Sequence, residues 1–165
     1  MNSPITIGIS ACLFGKNTRY DGGHRHQPQL IEALRQFVTL LPLCPEVECG
    51  LGIPREPMRL EGDPEGPRLL TITSRRDLTA PMLAWAAQRL EAFAKEGLQG
   101  LILKSRSPSC GARVAVHGEG EAAFSPGLFV RACQERFPDL PIANEEELCD
   151  PARLAAFLKR VTDHK

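Results

Sequence analysis

The sequence predicts a three-layer α/β/α protein built on a mostly parallel, Rossmann-like open sheet. Two observations carry that expectation. Short apolar runs without clean alternation recur along the chain, as strands covered on both faces require. Between them lie longer segments with apolar residues at helical spacing, so strands alternate with helices. The 165 residues suit one domain, expected over 1–165, and an apolar share of 42% suffices for a core of ordinary size.

In chain order, Ile5–Ala11 reads as the first strand. Pro28–Phe37 carries Leu30, Ile31, Leu34 and Phe37 at helical spacing and leads into a second strand, Val38–Leu43. Arg68–Thr73 reads as a further extended segment. Ala80–Glu96 is the longest helix, with Leu83, Ala86, Ala87, Leu90, Phe93 and Ala94 as its apolar stripe. Thr79 is its expected N-cap, Pro81 sits just inside, and Gly97 is its stop. Gly100–Lys104 is the next strand. Ser125-Pro126 opens a helix over Gly127–Phe137, which Pro138 ends. Leu140–Asn144 is the last strand, and Asp150-Pro151 opens the last helix, Ala152–Val161.

Charge and composition exclude several functions. Lys plus Arg and Asp plus Glu number 20 each, so no field of one sign covers the molecule and no large nucleic-acid partner is expected. No run approaches the ~20 apolar residues that span a bilayer, so no membrane role is expected. The first residues lack a charged start, a long apolar stretch and a cleavage site, which points to the cytoplasm. In that compartment the six cysteines are not expected to form structural disulfides.

The right-handed crossover rule puts the strand-to-helix loops at one edge of a parallel sheet. Those loops are Cys12–Gln27, Cys44–Pro67 and Ser105–Ser125, all long and rich in Gly and Pro. Cys12 and Cys44 sit where apolar runs stop, and Cys110 closes a Gly- and Ser-rich turn after the third. Three thiolates converging on the carboxyl edge, where open α/β sheets bind ligands, point to a metal centre with one open position. Thiolate softness favours iron–sulfur clusters or zinc over magnesium.

Each loop adds polar chemistry. Lys104-Ser105-Arg106-Ser107-Pro108-Ser109-Cys110-Gly111 sets two cations and three hydroxyls beside one sulfur, and Gly111 lets the backbone turn and approach a ligand. Cys44-Pro45-Glu46-Val47-Glu48-Cys49 offers two carboxylates, either of which can serve as a general base in a partly dry pocket. Arg19, Tyr20 and His24 can orient a small planar ligand. Cys49 to Arg55 has the spacing of a phosphatase loop, but Pro54 lacks the N–H such a loop needs, and the match reads as chance. Cys44 and Cys49 lack the second close pair of a structural zinc site. Cys133 reads as core and Cys149 as incidental.

Ser10-Ala11-Cys12-Leu13-Phe14-Gly15, Arg19-Tyr20-Asp21-Gly22-Gly23-His24, Cys44-Pro45-Glu46-Val47-Glu48, Pro54-Arg55-Glu56-Pro57 and Leu103–Gly111 together resemble the thiouracil desulfidase (TudS) family. The similarity runs from near residue 5 to about residue 160. It implies a 4Fe–4S cluster held by Cys12, Cys44 and Cys110, with Cys49 left out. It also implies non-redox removal of sulfur from a thiolated pyrimidine, a small-molecule nucleobase such as 2-thiouracil, giving uracil and sulfide. An essential Glu of the family falls on Glu48 or Glu46, and an essential Ser on Ser107 or Ser105. Lys104, Arg106 and Tyr20 join Ser105 as expected substrate-binding residues. The competing expectations are a non-catalytic iron–sulfur sensor and desulfuration of thiolated tRNA bases.

Overall fold

A computed structural model describes residues 4–164. The first strand, β1 (Thr6–Ser10), runs into a short 3₁₀ turn, Ala11–Phe14, which ends at Gly15 with φ 92°. Helix α1 (Pro28–Arg35) leads to β2 (Thr39–Leu43), and a one-turn helix, α2 (Pro45–Glu48), follows directly. Strands β3 (Met58–Glu61) and β4 (Arg68–Thr71) precede the long helix α3 (Thr79–Glu96). Then come β5 (Gly100–Leu103), β6 (Val114–His117) and β7 (Ala123–Ser125). Helix α4 (Leu128–Arg136), β8 (Ile142–Asn144) and α5 (Pro151–Asp163) complete the chain. Among the described residues no helix is long and apolar enough to cross a membrane.

Four strands form a parallel sheet in the order β2-β1-β5-β8, flanked by helices as expected. The chain leaves β1 toward β2 on one side and returns to β5 on the other. The strand order therefore reverses beside β1, and a crevice opens there at the carboxyl edge. Ile7, Ile9, Leu101 and Ile102 are fully buried within this sheet. Leu34, Phe157 and Val161 cover one face; Leu90, Phe93 and Phe129 cover the other.

The expectation of bare loops over Cys44–Pro67 and Ser105–Ser125 is corrected. These segments supply three strands of a second sheet, ordered β4-β3-β6-β7. Only Arg68–Thr73 was legible as extended. The new strands are three or four residues long and come from two distant segments, with a parallel β3–β6 pair joining two antiparallel ones. Pairing between distant segments leaves no local signal. Leu60, Leu69, Val114 and Val116 of this sheet pack on Leu78 and Met82 of the α3 region.

Helix ends follow the expected chemistry with one exception. Asp150 caps α5 through the Ala152 N–H, and Gly97 ends α3 at φ 72°. Thr79 is not the N-cap of α3 but its first residue. Its Oγ1 accepts the Leu69 N–H of β4, while Asp77 accepts the Thr79 N–H.

Cys133 is core, as expected, with no exposure, and burial pushes its thiol up to about 12. Above the unfolded thiol range near ~8.5, the unfolded chain therefore gives up a proton that the folded chain keeps. Stability falls as pH rises, by at most ~1.4 kcal/mol per pH unit. Cys133→Ala removes this contribution. In urea melts from pH 8 upward, on the scale of ~1.4 kcal/mol per unit, its deficit relative to the parent is expected to shrink with pH. Parallel curves would contradict the assignment.

Candidate metal centre and its cavity

The carboxyl edge of the parallel sheet opens into a cavity of about 380 Å³. Its floor holds Ser10, Ala11 and Cys12 from the end of β1, Leu43 and Cys44 from the end of β2, and Lys104 to Cys110 after β5. Thr18, Arg19, Tyr20 and Arg25 form one side. Arg55, Pro57 and Met58, leading into the second sheet, close another. Cys12, Cys44 and Cys110, expected as one cluster of sulfurs, thus line one cavity. Cys49, Cys133 and Cys149 do not line it.

Each sulfur is held by local backbone chemistry. Ser10, almost fully buried, accepts the Lys104 N–H with its hydroxyl at 2.9 Å and so ties the end of β1 to the end of β5. Cys44 is the N-cap of α2, with Pro45 in the position where a missing N–H costs nothing. The loop before Cys110 closes on itself through the Gly111 N–H to Ser107 O bond at 2.8 Å. Carbonyls of this loop also take the first donors of α4: Pro108 O accepts from Leu128 N, and Ser109 O from Phe129 N. These are donors that a helix cannot satisfy internally. A Cβ on Gly127 would stand 2.6 Å from the Ser109 carbonyl, and one on Gly111 would stand 2.9 Å from Ser107 O. Gly111 is therefore required by its own loop, as the turn expected of it demands.

All three thiols are pushed up by burial, Cys12 to about 11 and Cys110 well above the usual range. After burial, the next influence on both Cys12 and Cys110 is the nearby Cys44 sulfur. Among the described residues no three His, Cys, Asp or Glu side chains converge as they must to share a single ion. A tetrahedral zinc site requires that convergence. An iron–sulfur cluster takes each thiolate on a different iron, so its ligands share a cavity without meeting at a point.

The two expected carboxylates diverge. Glu46 lines the cavity with its side chain 13% exposed. Its Oε1 accepts from Arg55 Nε at 2.9 Å, and its Oε2 from Ser109 Oγ at 2.9 Å. Glu48 turns back on its own helix, where its Oε2 accepts the Cys44 N–H at 2.9 Å and its Oε1 lies 3.6 Å from Arg89 Nε; it is not part of the lining.

The three hydroxyls also differ. Ser107 Oγ is 3.1 Å from Ser109 Oγ and accepts the Cys110 N–H at 3.2 Å, which links it through Ser109 to Glu46. Ser105 is buried and donates to Glu145 Oε1 at 2.6 Å. Lys104 Nζ donates to the same Glu145 oxygen at 2.8 Å. Burial raises the Glu145 carboxyl, but the Lys104 ammonium and the Ser105 hydroxyl and N–H outweigh it and hold the group below the usual range.

Arg106, at φ 64°, sends a side chain that is 81% exposed to Glu146, so its guanidinium stands at the rim. Tyr20 is a half-exposed rim residue, and His24 is not among the lining. Thr18 Oγ1 and Arg19 Nε are buried in the lining without a hydrogen bond, the latter 3.8 Å from Asp21.

Arg55, set aside with the phosphatase spacing, belongs to the cavity, whereas Cys49 spends its thiol on the Glu46 carbonyl. Glu145 was also missed. It follows β8 at the same carboxyl edge, so the rule applied to the other three strands would have found it.

A sequence model of the family described as 2-thiouracil desulfurase matches residues 7–145. The uncharacterized protein YbbK of Bacillus subtilis (strain 168) is 30% identical over 150 residues, covering 87% of this chain and 98% of that protein. Among solved structures, a 4Fe-4S-dependent thiouracil desulfidase, TudS, superposes with a TM-score of 0.74 at 30% identity. The match covers 92% of this chain and 97% of that one.

Proposed function

The chain belongs to the 2-thiouracil desulfurase family, and from that premise we propose that it hydrolyses the C=S bond of thiolated pyrimidines at a 4Fe–4S cluster held by Cys12, Cys44 and Cys110. The observation that carries this reading is the donor set. Three soft sulfurs from three separate loops line one cavity at the switch point of the sheet, beside a carboxylate and the three serine hydroxyls of the Cys110 loop. The lining also carries the cations Arg19, Arg25, Arg55, Lys104 and Arg106 against the single acid Glu46, which suits a centre built from three thiolates. When bound, the cluster supplies a Lewis acid that polarises the thiocarbonyl.

The protein supplies the rest. Glu46 Oε2 takes a proton from the water that attacks the carbon. Its hydrogen bond to Ser109 shows that this oxygen faces the Cys110 loop. Ser107, at the end of the same hydrogen-bonded chain, orients the ring, and Lys104 stands on the floor with its ammonium anchored by Glu145. One C=S bond breaks and one C=O bond forms, with the two hydrogens of water leaving as hydrosulfide and a proton. No electron is gained or lost, so no reductant is needed.

Anaerobic reconstitution with iron and sulfide, followed by incubation with 2-thiouracil, is expected to give equal amounts of uracil and sulfide. Protein that carries a full complement of iron and releases neither product from 2- or 4-thiouracil would rule the reading out.

A further inference from the structure

We infer that Arg55 is a positioning residue for Glu46, holding one carboxylate oxygen so that the other is presented to the reacting centre. The inference rests on the reading of Glu46 as the proton acceptor. Arg55 reaches the cavity wall with its side chain only 8% exposed and all of its guanidinium nitrogens bonded. Its Nε donates to Glu46 Oε1 at 2.9 Å, one terminal nitrogen to Gly52 O at 3.0 Å, and the other to Thr18 O at 2.8 Å. Its own N–H donates to Tyr20 O at 2.8 Å. The guanidinium plane is therefore fixed by the Gly52 and Thr18 carbonyls, and the Arg55 backbone by Tyr20 O, before it touches the carboxylate.

That rigidity matters because the terminal torsion of a Glu side chain is soft and nearly two-fold, so a free carboxylate exchanges its oxygens. With Oε1 committed to Arg55, only Oε2 points to Ser109 and the Cys110 loop. A Lys at position 55 would keep the charge but, as a point donor, cannot hold the carboxylate and both carbonyls in one plane.

The test uses reconstituted holoenzyme and a double-mutant cycle. Arg55→Met is expected to lower kcat for 2-thiouracil by about 10- to 100-fold, the scale of one charge-assisted hydrogen bond. KM is expected to move by less than ~3-fold, with the iron-to-protein ratio unchanged. Arg55→Lys recovers part of the loss. In a Glu46→Gln background Arg55→Met should cause no further fall, because the partner it orients is no longer a base. Equal fractional losses in both backgrounds would overturn the inference, as would parental kcat in Arg55→Met. So would loss of iron in both Arg55→Met and Arg55→Lys, which would mark a role in building the loop. Should only the Met variant lose iron, the Lys variant carries the same cycle. Parental turnover in Glu46→Gln would instead remove the reading of Glu46 itself.

Discussion

Cys110→Ala is expected to purify colourless under anaerobic conditions and to release no sulfide from 2-thiouracil. Cys110 is 6% exposed and sits on a loop whose carbonyls cap α4, so the truncated site cannot recruit another sulfur by moving. Cys49, which shares the loop of Cys44, is bound to the Glu46 carbonyl and lies outside the cavity lining. Cys110→Ser preserves volume but offers a hard oxygen in place of a soft thiolate, and is expected to be nearly as defective. Folding should survive either change, because the first donors of α4 are taken by the Pro108 and Ser109 carbonyls and not by the Cys110 side chain. Iron analysis, visible absorbance and a sulfide assay check the prediction, with Cys49→Ala and Cys149→Ala as controls that keep colour and turnover. A colourless yet active Cys110→Ala protein would remove the cluster from the reaction.

Glu46→Gln is expected to keep the colour and the iron while kcat falls by ~10²–10⁴, the range for loss of a general base. The amide is isosteric and still accepts from Arg55, so the cavity keeps its shape. What disappears is the capacity of Oε2 to take a proton. Glu48→Gln is the internal control. Its amide oxygen still accepts the Cys44 N–H, so turnover should stay within about threefold of the parent, as expected for a change that keeps the backbone hydrogen bond and weakens only the partly exposed pair with Arg89. Steady-state kinetics on iron-matched preparations decide between them. An inactive Glu48→Gln beside an active Glu46→Gln would reverse the assignment.

The pair Glu46 and Glu48 shows where a sequence stops being informative. Read as a loop, Cys44–Cys49 offers both carboxylates equally. In the structure Pro45–Glu48 is a turn of helix. At 3.6 residues per turn, side chains two positions apart point about 200° apart. Only one of the two can face the cavity, and the choice depends on how α2 is rolled against α3, where Arg89 receives Glu48. Arg55 is a similar case. Its place in the cavity depends on the second sheet, which draws the chain back over the crevice before β3. That sheet is built from short pairings between distant segments, and no window of sequence contains both partners.

The order of apolar runs and helical stretches along the chain was enough to imply a parallel βα sheet, and with it the meeting of Cys12, Cys44 and Cys110 at one edge. Parallel strands joined by right-handed crossovers must all end on the same side, so residues just past three strand ends share a crevice whatever the details of packing. Which carboxylate, which hydroxyls and which arginine line the cavity with those sulfurs follows from long-range packing instead. Those choices depend on helix roll, loop closure and the second sheet, all of which are set by contacts between residues far apart in the chain.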